Sequence, residues 1–366
     1  MRIAFFAPYI GDGGVGTAIT RLGNQFSDRG HDVDLVTFQH DCPFLDEAPI
    51  RVVDLEATRT ASSLPGLVRY LRRERPDAII STHYFANVAV VLCRMVSRTD
   101  STVILTERLQ IGPILADPDT LKDRLFPPIM RLTYRRADHV VAVSQTAAED
   151  LINFLGLDPD QVQAIYNPTL VDRVFEDAEE PVTHPWFESD EPPVVLAAGR
   201  LAPEKDFATL IEAFDRLTDR TEARLLILGE GRERESLERL IDRLGFGSQV
   251  ELYGFAENPY RFMRAADLFV LSSLNEGMPN VLVEAAALGT PIVSTDCPSG
   301  PRELLDDGQG GELVPVGDVS ALADAMYRQL ADLDQARAQV ERIRPKLDEF
   351  SPAYASQRYL DLIEDD

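Results

Sequence analysis

Short apolar runs alternate with amphipathic stretches along this chain of 366 residues. In the first half, the predicted strands are Ile3–Ala7, Val33–Phe38, Ile50–Val53, Ala78–Ser81, Thr102–Thr106 and His139–Ser144. Helical patterns such as Thr17–Arg29 and Leu64–Glu74 lie between them. Unbroken apolar runs are typical of strands buried on both faces, and helices between such strands make parallel βαβ units. The first half is therefore predicted to be a doubly wound α/β domain.

A second series of the same kind follows a stretch rich in acidic residues and proline, Asp172–Pro193. Its predicted strands are Val194–Ala198, Leu225–Leu228, Val250–Tyr253, Leu268–Ser272 and Pro291–Ser294. Its predicted helices are Phe207–Leu217, Arg232–Leu244 and Asn280–Leu288. We predict two Rossmann-like domains, 1–171 and 194–350, a linker over 172–193, and a C-terminal helix in 351–366 that packs back on the first domain. Ligands of doubly wound sheets bind beyond the carboxyl ends of the strands, so a cleft between two such edges is expected.

The charge and cysteine content exclude several classes of protein. With 36 basic and 61 acidic residues, the chain has a formal net charge of −25 at pH 7, whereas a nucleic-acid binder needs a basic surface. No apolar run is long enough to span a bilayer, and the opening residues read as a strand and not as a signal peptide. Three widely spaced cysteines fit a reduced cytoplasm. Acidic, lysine-poor composition further suggests a salty cytoplasm, as a hypothesis about a halophilic host.

A glycine-rich turn, Gly11–Gly16, follows the first predicted strand and opens a helix. Gly13, Gly14 and Gly16 allow a close backbone approach, and the helix N-terminus favours an anion. No acidic residue ends the second strand in the usual ribose-binding position, so a nicotinamide site is not favoured. A plain tight turn between strand and helix is the alternative.

Two cations flank the loop after the first strand of the second half. Arg200 and Lys205 lie in the segment Gly199–Phe207, which leads into a helix. Fixed cations beside a helix N-terminus suit a diphosphate. The alternative is ordinary helix capping with a surface ion pair between Lys205 and a nearby acid.

Two glutamates, Glu276 and Glu284, belong to a loop and to the helix that follows it. Gly277 and Pro279 shape the loop so that backbone N–H groups and the first carboxylate face the ends of the strands. Glu284 lies in an otherwise apolar helix, where a carboxylate needs a hydrogen-bonding partner. Ligand hydroxyls would supply one. Pairing with the backbone or with Arg302 is the alternative.

Three motifs, VVAVSQTAAEDL, GRLAPEKDF and EGMPNVLVEA, resemble family 4 of the retaining glycosyltransferases, which have the GT-B fold. The resemblance spans essentially the whole chain. It implies that the second domain binds a nucleotide sugar and the first binds the acceptor. By this resemblance, Arg200 and Lys205 hold the donor diphosphate, Glu276 contacts the donor sugar and Glu284 holds the ribose. The loop that approaches sugar and phosphate consists of Gly277, Met278, Pro279 and Asn280.

Smaller matches point to the members that build polysaccharides and lipid-linked oligosaccharides, which commonly use UDP-sugars. They are Thr106-Glu107-Arg108 and the loop Ser299–Glu303. His83 follows a predicted strand where relatives often have an acceptor-side or sugar-contacting residue; capping or packing is the alternative. The glycine loop departs from the commoner Gly-Gly-x-Glu pattern, since it reads Gly-Gly-Val-Gly.

The resulting expectation is a cytoplasmic enzyme that moves a sugar from a UDP-sugar to a glycan or lipid-linked saccharide with retention of configuration. Its expected catalytic residues are Glu276, Arg200, Lys205 and His83. Neither a cofactor nor a metal is expected, because the two cations already serve the diphosphate. The alternatives are a nucleotide-sugar epimerase of related fold and a non-catalytic sugar-nucleotide sensor.

The segment 121–136 combines bulky apolar residues with five cations and one acid in a strongly acidic chain. A basic amphipathic segment can lie on an anionic membrane surface, so peripheral attachment to the inner face of the membrane is a hypothesis. A solvated helix with an inward apolar stripe is the alternative.

Overall fold

The computed structural model describes residues 1–10, 14–40, 48–116, 121–188 and 191–364. The chain forms two compact units. The first consists of Met1–Pro168 and Glu349–Asp366, and the second of Thr169–Asp348.

The first unit contains a parallel sheet of seven strands with the order β5-β3-β1-β6-β7-β8-β9. These strands are β1 (Arg2–Phe6), β3 (Asp32–Thr37), β5 (Arg51–Asp54), β6 (Ala78–Thr82), β7 (Thr102–Glu107), β8 (His139–Ala142) and β9 (Val162–Ala164). Two further short strands, β2 (Tyr9–Ile10) and β4 (Gln39–His40), pair with each other. The strand order reverses beside β1, as in other doubly wound sheets.

Both faces of the first sheet are buried under helices. The helices of this unit are α1 (Gly14–Asp28), α2 (Thr60–Glu74), α3 (Tyr84–Ser97), α4 (Ile111–Ala116), α5 (Leu121–Tyr134), α6 (Gln145–Leu155) and α15 (Pro352–Glu364). Strand β1 shows the reason: Ile3 and Phe5 pack with α1 and α15, while Ala4 and Phe6 pack with α2 and α3. Successive side chains point to opposite faces, so a strand covered on both sides must be apolar throughout.

The second unit contains a parallel sheet of six strands with the order β12-β11-β10-β13-β14-β15. Its strands are β10 (Val194–Ala198), β11 (Arg224–Leu228), β12 (Val250–Gly254), β13 (Leu268–Leu271), β14 (Ile292–Thr295) and β15 (Glu312–Val314). Its helices are α7 (Asp172–Ala178), α8 (Phe207–Thr218), α9 (Arg234–Leu244), α10 (Tyr260–Ala265), α11 (Asn280–Ala287), α12 (Pro301–Leu304), α13 (Val319–Ala331) and α14 (Leu333–Arg342). The expectation of two Rossmann-like α/β sheets is confirmed.

The stretch expected to be a linker differs from its prediction. Residues 172–178 form helix α7, which packs on α10 of the second unit. Asn258 donates a hydrogen bond to the carbonyl of Asp177 at 2.7 Å, and Arg264 forms an ion pair with Glu179 at 3.0 Å. Glu179 and Glu180, two of the acidic residues in the predicted linker, therefore bind basic and amide groups of the second unit.

The C-terminal helix α15 belongs to the first unit, where it contacts α1. Of the four residues expected to form an apolar stripe, Tyr359, Leu360 and Ile363 are buried, whereas Tyr354 is 38% exposed. Arg29, directly after α1, donates to the carbonyl of Ala353 at 3.2 Å. The apolar spacing of this helix thus predicts the face that it buries.

Strands β2, β4, β9 and β15 were absent from the sequence prediction. β9 and β15 contain three residues each, and both are edge strands. β15 begins with the half-buried Glu312, and β9 has two half-buried positions. An edge strand of three residues carries too little apolar signal to be separated from a loop.

No helix among the described residues is long and apolar enough to cross a membrane. Helix α5 covers most of the basic segment 121–136, and its Ile129 and Leu132 are 43% and 59% exposed. Arg131 and Arg135 donate hydrogen bonds to backbone carbonyls at the end of α6. Part of the positive charge of this segment is therefore bound within the protein.

Candidate functional site

The strand order of the second sheet reverses beside β10, whose neighbours are β11 and β13. Crevices outside the carboxyl ends of strands at such a switch point are the usual ligand sites of doubly wound sheets. Arg200 and Lys205 lie in the loop after β10, and Glu276 lies in the loop after β13. The fold thus brings three of the predicted donor-site residues to one switch point.

The backbone around Lys205 is held by hydrogen bonds from the end of β13. Ser272 Oγ donates to the carbonyl of Lys205 at 2.8 Å, and the N–H of Leu274 donates to the carbonyl of Glu204 at 2.9 Å. Asp206 follows with a left-handed backbone (φ 47°) and caps helix α8 with its side chain. These bonds fix the point from which the Lys205 side chain extends.

Lys205 and Glu276 form the central contact of the site. The Lys205 Nζ lies 2.5 Å from Glu276 Oε1, and Ser273 Oγ donates to the same carboxylate oxygen at 2.7 Å. The side chains of the ion pair are only 19% and 13% exposed. Thr295 Oγ1 in turn donates to the carbonyl of Ser273 at 2.7 Å. A partly buried pair with additional hydrogen bonds has a defined geometry, unlike an exposed surface pair.

Cys297 lies beside this pair and is buried. Burial, together with a smaller effect of the negative charge of Glu276, raises the pKa of its thiol to about 12. The thiol therefore stays protonated at neutral pH. It acts here as a small buried side chain and not as a nucleophile.

A tight approach of two loops shapes the backbone after Glu276. Gly300 has φ +81°, and a Cβ added there would lie 2.7 Å from Pro279 Cδ and 2.8 Å from the carbonyl oxygen of Gly277. Ser299 Oγ donates to that same carbonyl at 2.7 Å. A side chain at position 300 would force the loops apart, so glycine is required there.

Helix α11 carries the remaining residues of the predicted donor site. It begins at Asn280, whose Oδ1 accepts a hydrogen bond from Thr169 Oγ1 at 3.1 Å. Glu284 lies one turn further and is 8% exposed, and Met278 before the helix is 5% exposed. Glu284 is thus a buried carboxylate on the helix that follows the Glu276 loop.

Arg302 was considered as a partner for Glu284. Instead it forms ion pairs with Asp296 and Asp307. Arg302 is thus bound to two other acids.

Arg200 lies on the surface, with its side chain 74% exposed. Its guanidinium forms an ion pair with Glu204 at 2.7 Å. A backbone hydrogen bond to the Glu204 carboxyl lowers the pKa of that group, and the hydrogen bond from Arg200 lowers it by a smaller amount. Arg200 therefore shares the loop of Lys205 but pairs with a different acid.

The first unit has a switch point of its own, between β1 and β6. Gly14 begins helix α1 after β1, and Gly16 is buried within that helix; Gly13 lies outside the described residues. His83 follows β6 with an unusual positive φ of 82°, and its carbonyl accepts the N–H of Asn87 at 2.9 Å. Positive φ in a non-glycine residue is costly and is concentrated at functional sites.

An aromatic cluster surrounds His83. Its ring stacks on Tyr84 and Phe85 with centroid distances of 4.5 and 5.6 Å, and Phe85 contacts Phe126 at 4.7 Å. Burial lowers the pKa of the imidazole. His83 is thus neutral at pH 7 and can accept or donate a hydrogen bond.

A buried carboxyl lies behind this edge, at the end of β7. Glu107 Oε1 accepts hydrogen bonds from the Tyr134 hydroxyl and from Asn87 Nδ2, the latter at 2.8 Å. Burial raises the pKa of Glu107 to about 7. Arg108 beside it donates to Asn167 Oδ1 at 2.6 Å. Of the Thr-Glu-Arg motif, Glu107 therefore lies in the interior, and Arg108 lies on the loop that follows β7.

Within the described ranges, no group of three or more His, Cys, Asp or Glu side chains could hold a metal ion. Of the Asp-x-Asp pairs in the sequence, Asp34 binds Arg51 and Tyr70, and Asp158 caps a short turn. Asp117 and Asp119 lie outside the described residues.

The two serines that orient the ion pair were not among the site residues predicted from the sequence. Ser272 and Ser273 directly follow the last apolar residue of β13, where a polar pair after a buried strand marks the carboxyl edge of the sheet. The network of Glu107, Asn87 and Tyr134 was also missed, because its members come from three separate elements.

Two family models match the chain, one on each unit. "Glycosyl transferase 4-like domain" matches residues 13–168, and "Glycosyl transferases group 1" matches residues 192–332. Together they cover well over half of the chain.

Curated relatives include an uncharacterised glycosyltransferase of Methanocaldococcus jannaschii, 28% identical over 65% of this chain and 60% of its own length. An N-acetylgalactosamine-N,N'-diacetylbacillosaminyl-diphospho-undecaprenol 4-alpha-N-acetylgalactosaminyltransferase of Campylobacter jejuni is 33% identical over 56% of this chain and 54% of its own. The chain thus aligns with only a little over half of each of these relatives.

Among solved structures, Anabaena HepE in complex with UDP superposes with a TM-score of 0.83 at 20% identity, and the match covers both chains completely. At this identity the likeness establishes the fold. With both family models in agreement, the chain belongs to the GT4-type glycosyltransferases, and its fold is GT-B.

Proposed function

We propose that this protein transfers a sugar from a UDP-sugar to a hydroxyl group of a glycan or lipid-linked saccharide, with retention of anomeric configuration. The observation that carries the proposal is the Lys205–Glu276 ion pair, with 2.5 Å between Nζ and Oε1, at the switch point of the second sheet. A nucleotide sugar presents a diphosphate that needs a cation and sugar hydroxyls that need acceptors. The pair offers one group for each.

The donor is proposed to use the loops after β10 and β13. Lys205 and Arg200 bind the diphosphate, and Lys205 can keep one N–H on Glu276 while its other two reach phosphate oxygens. Glu276 accepts hydrogen bonds from the transferred sugar, and Glu284 accepts them from the ribose. The UDP complex of HepE supports this choice of nucleotide.

A further observation supports a polar ligand beside Glu276. The Oδ1 atom of Asn275 is buried and has no hydrogen-bond partner among the described residues. A buried acceptor without a donor is costly, and a ligand hydroxyl would remove that cost.

The mechanism is proposed to depend on positioning and charge. As the bond between the anomeric carbon and the diphosphate breaks, Lys205 and Arg200 stabilise the leaving group, and the Glu276 carboxylate stabilises the sugar, which becomes positive. We assign no covalent nucleophile, since the buried Cys297 thiol, with a pKa of about 12, stays protonated. The acceptor hydroxyl therefore attacks from the face that the diphosphate leaves. No metal is assigned, because the two cations serve the diphosphate.

The first unit is proposed to bind the acceptor at the switch point between β1 and β6. The neutral His83 is positioned by its strained backbone and can accept the proton of an attacking hydroxyl. Gly14 and Gly16 supply backbone N–H groups at the start of α1.

We also propose that the protein works in the cytoplasm, with helix α5 as a peripheral contact to anionic membranes. The exposed Ile129 and Leu132 would insert at the interface. Replacing both with serine should release the protein from vesicles that contain phosphatidylglycerol, as measured by co-sedimentation. Equal sedimentation of parent and variant would exclude this contact.

The test of the function is a product analysis with a panel of UDP-sugars, with and without saccharide acceptors. Free UDP and a longer acceptor are the expected products. A changed UDP-sugar without acceptor would identify an epimerase, and binding without turnover would identify a sensor.

Lys205→Ala should raise KM for the donor and lower kcat, since the charge on the leaving diphosphate loses its partner. The matched control is Lys346→Ala, which removes a lysine whose ammonium binds the carbonyl of Glu303. Equal losses in the two variants would contradict the assignment of Lys205.

A further inference from the structure

An apolar groove of about 600 Å³ opens between α2 and α3 in the first unit. Ligand sites in proteins typically have volumes of this order. The main apolar side chains in its walls are Tyr9, Phe38, Leu64, Phe85, Val88 and Leu92.

One end of the groove reaches the aromatic cluster at His83. Phe85 lines the groove, and its ring centroid lies 5.6 Å from that of His83. Arg59, Thr58 and Thr60 line the groove where α2 begins. Because α2 and α3 both begin at the carboxyl edge of the sheet, the polar end of the groove lies at that edge.

The other end continues as an exposed apolar stripe along α3. Leu92 is 43% exposed, Met95 49% and Val96 59%. Together with Phe85 and Val88, these residues recur at intervals of three and four, so they share one face of the helix. At 1.5 Å per residue, the stripe from Phe85 to Val96 is about 16 Å long.

The segment that contains α2 and α3 is basic, although the whole chain is acidic. Residues 57–99 contain seven arginines and two acidic residues, whereas the chain as a whole has a net charge of −25. Of these arginines, Arg59 lines the groove, and it is exposed. The groove therefore combines hydrocarbon-like walls with a guanidinium at its polar end, which complements an amphiphile with an anionic head.

We infer that the groove binds the hydrocarbon chain of a lipid-like acceptor, with its anionic group at Arg59 and its reacting end at His83. This inference rests on the proposed function and narrows the acceptor to amphiphiles. A free glycan fits the groove less well, since glycans need many hydrogen-bonding partners and the lining beyond the polar end is apolar.

The experiment uses hexyl, octyl and decyl phosphate as probes, below their micelle concentrations, with binding measured by calorimetry. Each methylene that enters the groove should tighten binding about fourfold, so each probe should bind more than tenfold tighter than the next shorter one. Ala61→Trp should remove this dependence on chain length, because Ala61 lines the groove and the indole would fill it. The matched control is Ala353→Trp, the same change at an exposed position on α15 of the same unit.

Affinities that are equal for the three probes, or a chain-length dependence that survives in Ala61→Trp, would overturn the proposal. Leu92→Gln provides a second variant at an exposed position, and it should weaken decyl phosphate more than hexyl phosphate. UDP affinity is measured in parallel and should be the same in all four proteins. If the parent protein does not bind UDP, that result counts against the proposed function, whatever the probes show about the groove.

Discussion

The two sheets share a topology but differ in the chemistry of their switch points. In the second unit, the loops after β10 and β13 bring together an ammonium, a carboxylate and two serine hydroxyls. In the first unit, the corresponding edge carries a neutral imidazole among aromatic rings, with an apolar groove beside it.

This difference shows that the fold supplies a location and the loops supply the chemistry. One edge suits a charged and strongly hydrated ligand, and the other suits a ligand with apolar surface. A transferase with two substrates gains from such a division, because each edge can bind one of them and reject the other.

The largest effect is expected for Glu276→Gln at the charged edge. The amide keeps the size and one acceptor oxygen but loses the charge that would stabilise a positive sugar, so kcat should fall on the order of 10²–10³-fold. UDP affinity should be retained or slightly improved, because Lys205 no longer shares its charge with a carboxylate. Turnover and UDP calorimetry of the folded variant measure both effects.

Glu238→Gln is the matched control for this prediction, since Glu238 forms an exposed ion pair with Arg234 on α9. If Glu276→Gln keeps the parental turnover, the charged edge is not the site of sugar transfer. A fall in UDP affinity that parallels a lower melting temperature would indicate that Glu276 only holds the loop.

The next effect concerns Glu107, the buried carboxyl behind the apolar edge. Burial raises its pKa to about 7, from the ordinary value of 4.5 for a glutamate. Between these two pH values the folded state therefore keeps a proton that the unfolded chain has lost. The stabilising contribution is complete below about pH 4.5, is lost as the pH rises through 7, and is on the order of 3 kcal/mol.

Glu107→Gln should remove this dependence while its oxygen still accepts hydrogen bonds from Tyr134 and Asn87. Urea unfolding between pH 5 and pH 8 should give a steeper fall in the free energy of unfolding for the parent than for the variant. Repulsion among surface carboxylates affects both proteins alike, so the difference between them isolates Glu107. Parallel curves would contradict the raised pKa.

A smaller effect is expected at the loop contact of the charged edge. Gly300→Ala combines a positive φ with a Cβ that meets Pro279 and Gly277, so it should cost on the order of 2–3 kcal/mol and weaken UDP binding. Gly317→Ala is the control: φ is +72° there, but no atom lies within 4 Å of the added Cβ, so only about 1 kcal/mol is expected. Melting temperatures and UDP affinities of the two variants separate backbone strain from loop contact.

The smallest effect distinguishes the two units by charge. The first unit has 18 basic and 26 acidic residues, and the second has 18 and 35. Molar KCl shortens the Debye length to about 3 Å and screens repulsion among carboxylates, so salt should stabilise the second unit more. Hydrogen exchange should show a several-fold larger gain in amide protection there, and an equal gain in both units would contradict this reasoning.

Much of the fold could be predicted from the sequence, because buried parallel strands appear in it as unbroken apolar runs. Val194–Ala198 was predicted with the bounds that the structure has. The short edge strands were missed for lack of apolar residues. The helix at Asp172–Ala178 was missed because its acidic residues indicated a linker, although Asp177 pairs with Arg173 one turn away in the helix.

Less of the candidate site could be predicted. The spacing of Lys205 and Glu276 on loops after strands indicated a shared edge, but not that the two side chains bind each other, because 71 residues separate them. Arg200 looks equivalent to Lys205 in the sequence. In the structure, however, it pairs with Glu204, which lies only four residues further along the same loop. Local pairing of this kind depends on side-chain rotamers, which the pattern of residues does not specify.

The return of α15 to the first unit has a consequence for how the chain folds. The second unit is one continuous segment, so it can fold as soon as it has been synthesised, whereas the first unit is interrupted and needs residues that are made after the second unit. The contact between Arg29 and Gln357 joins positions 328 residues apart. Closing a flexible loop of that length is entropically costly, but a second unit that has already folded shortens the flexible part of the loop and reduces the cost. We therefore expect the middle of the chain to become protease-resistant first during synthesis, and its two ends to become resistant together.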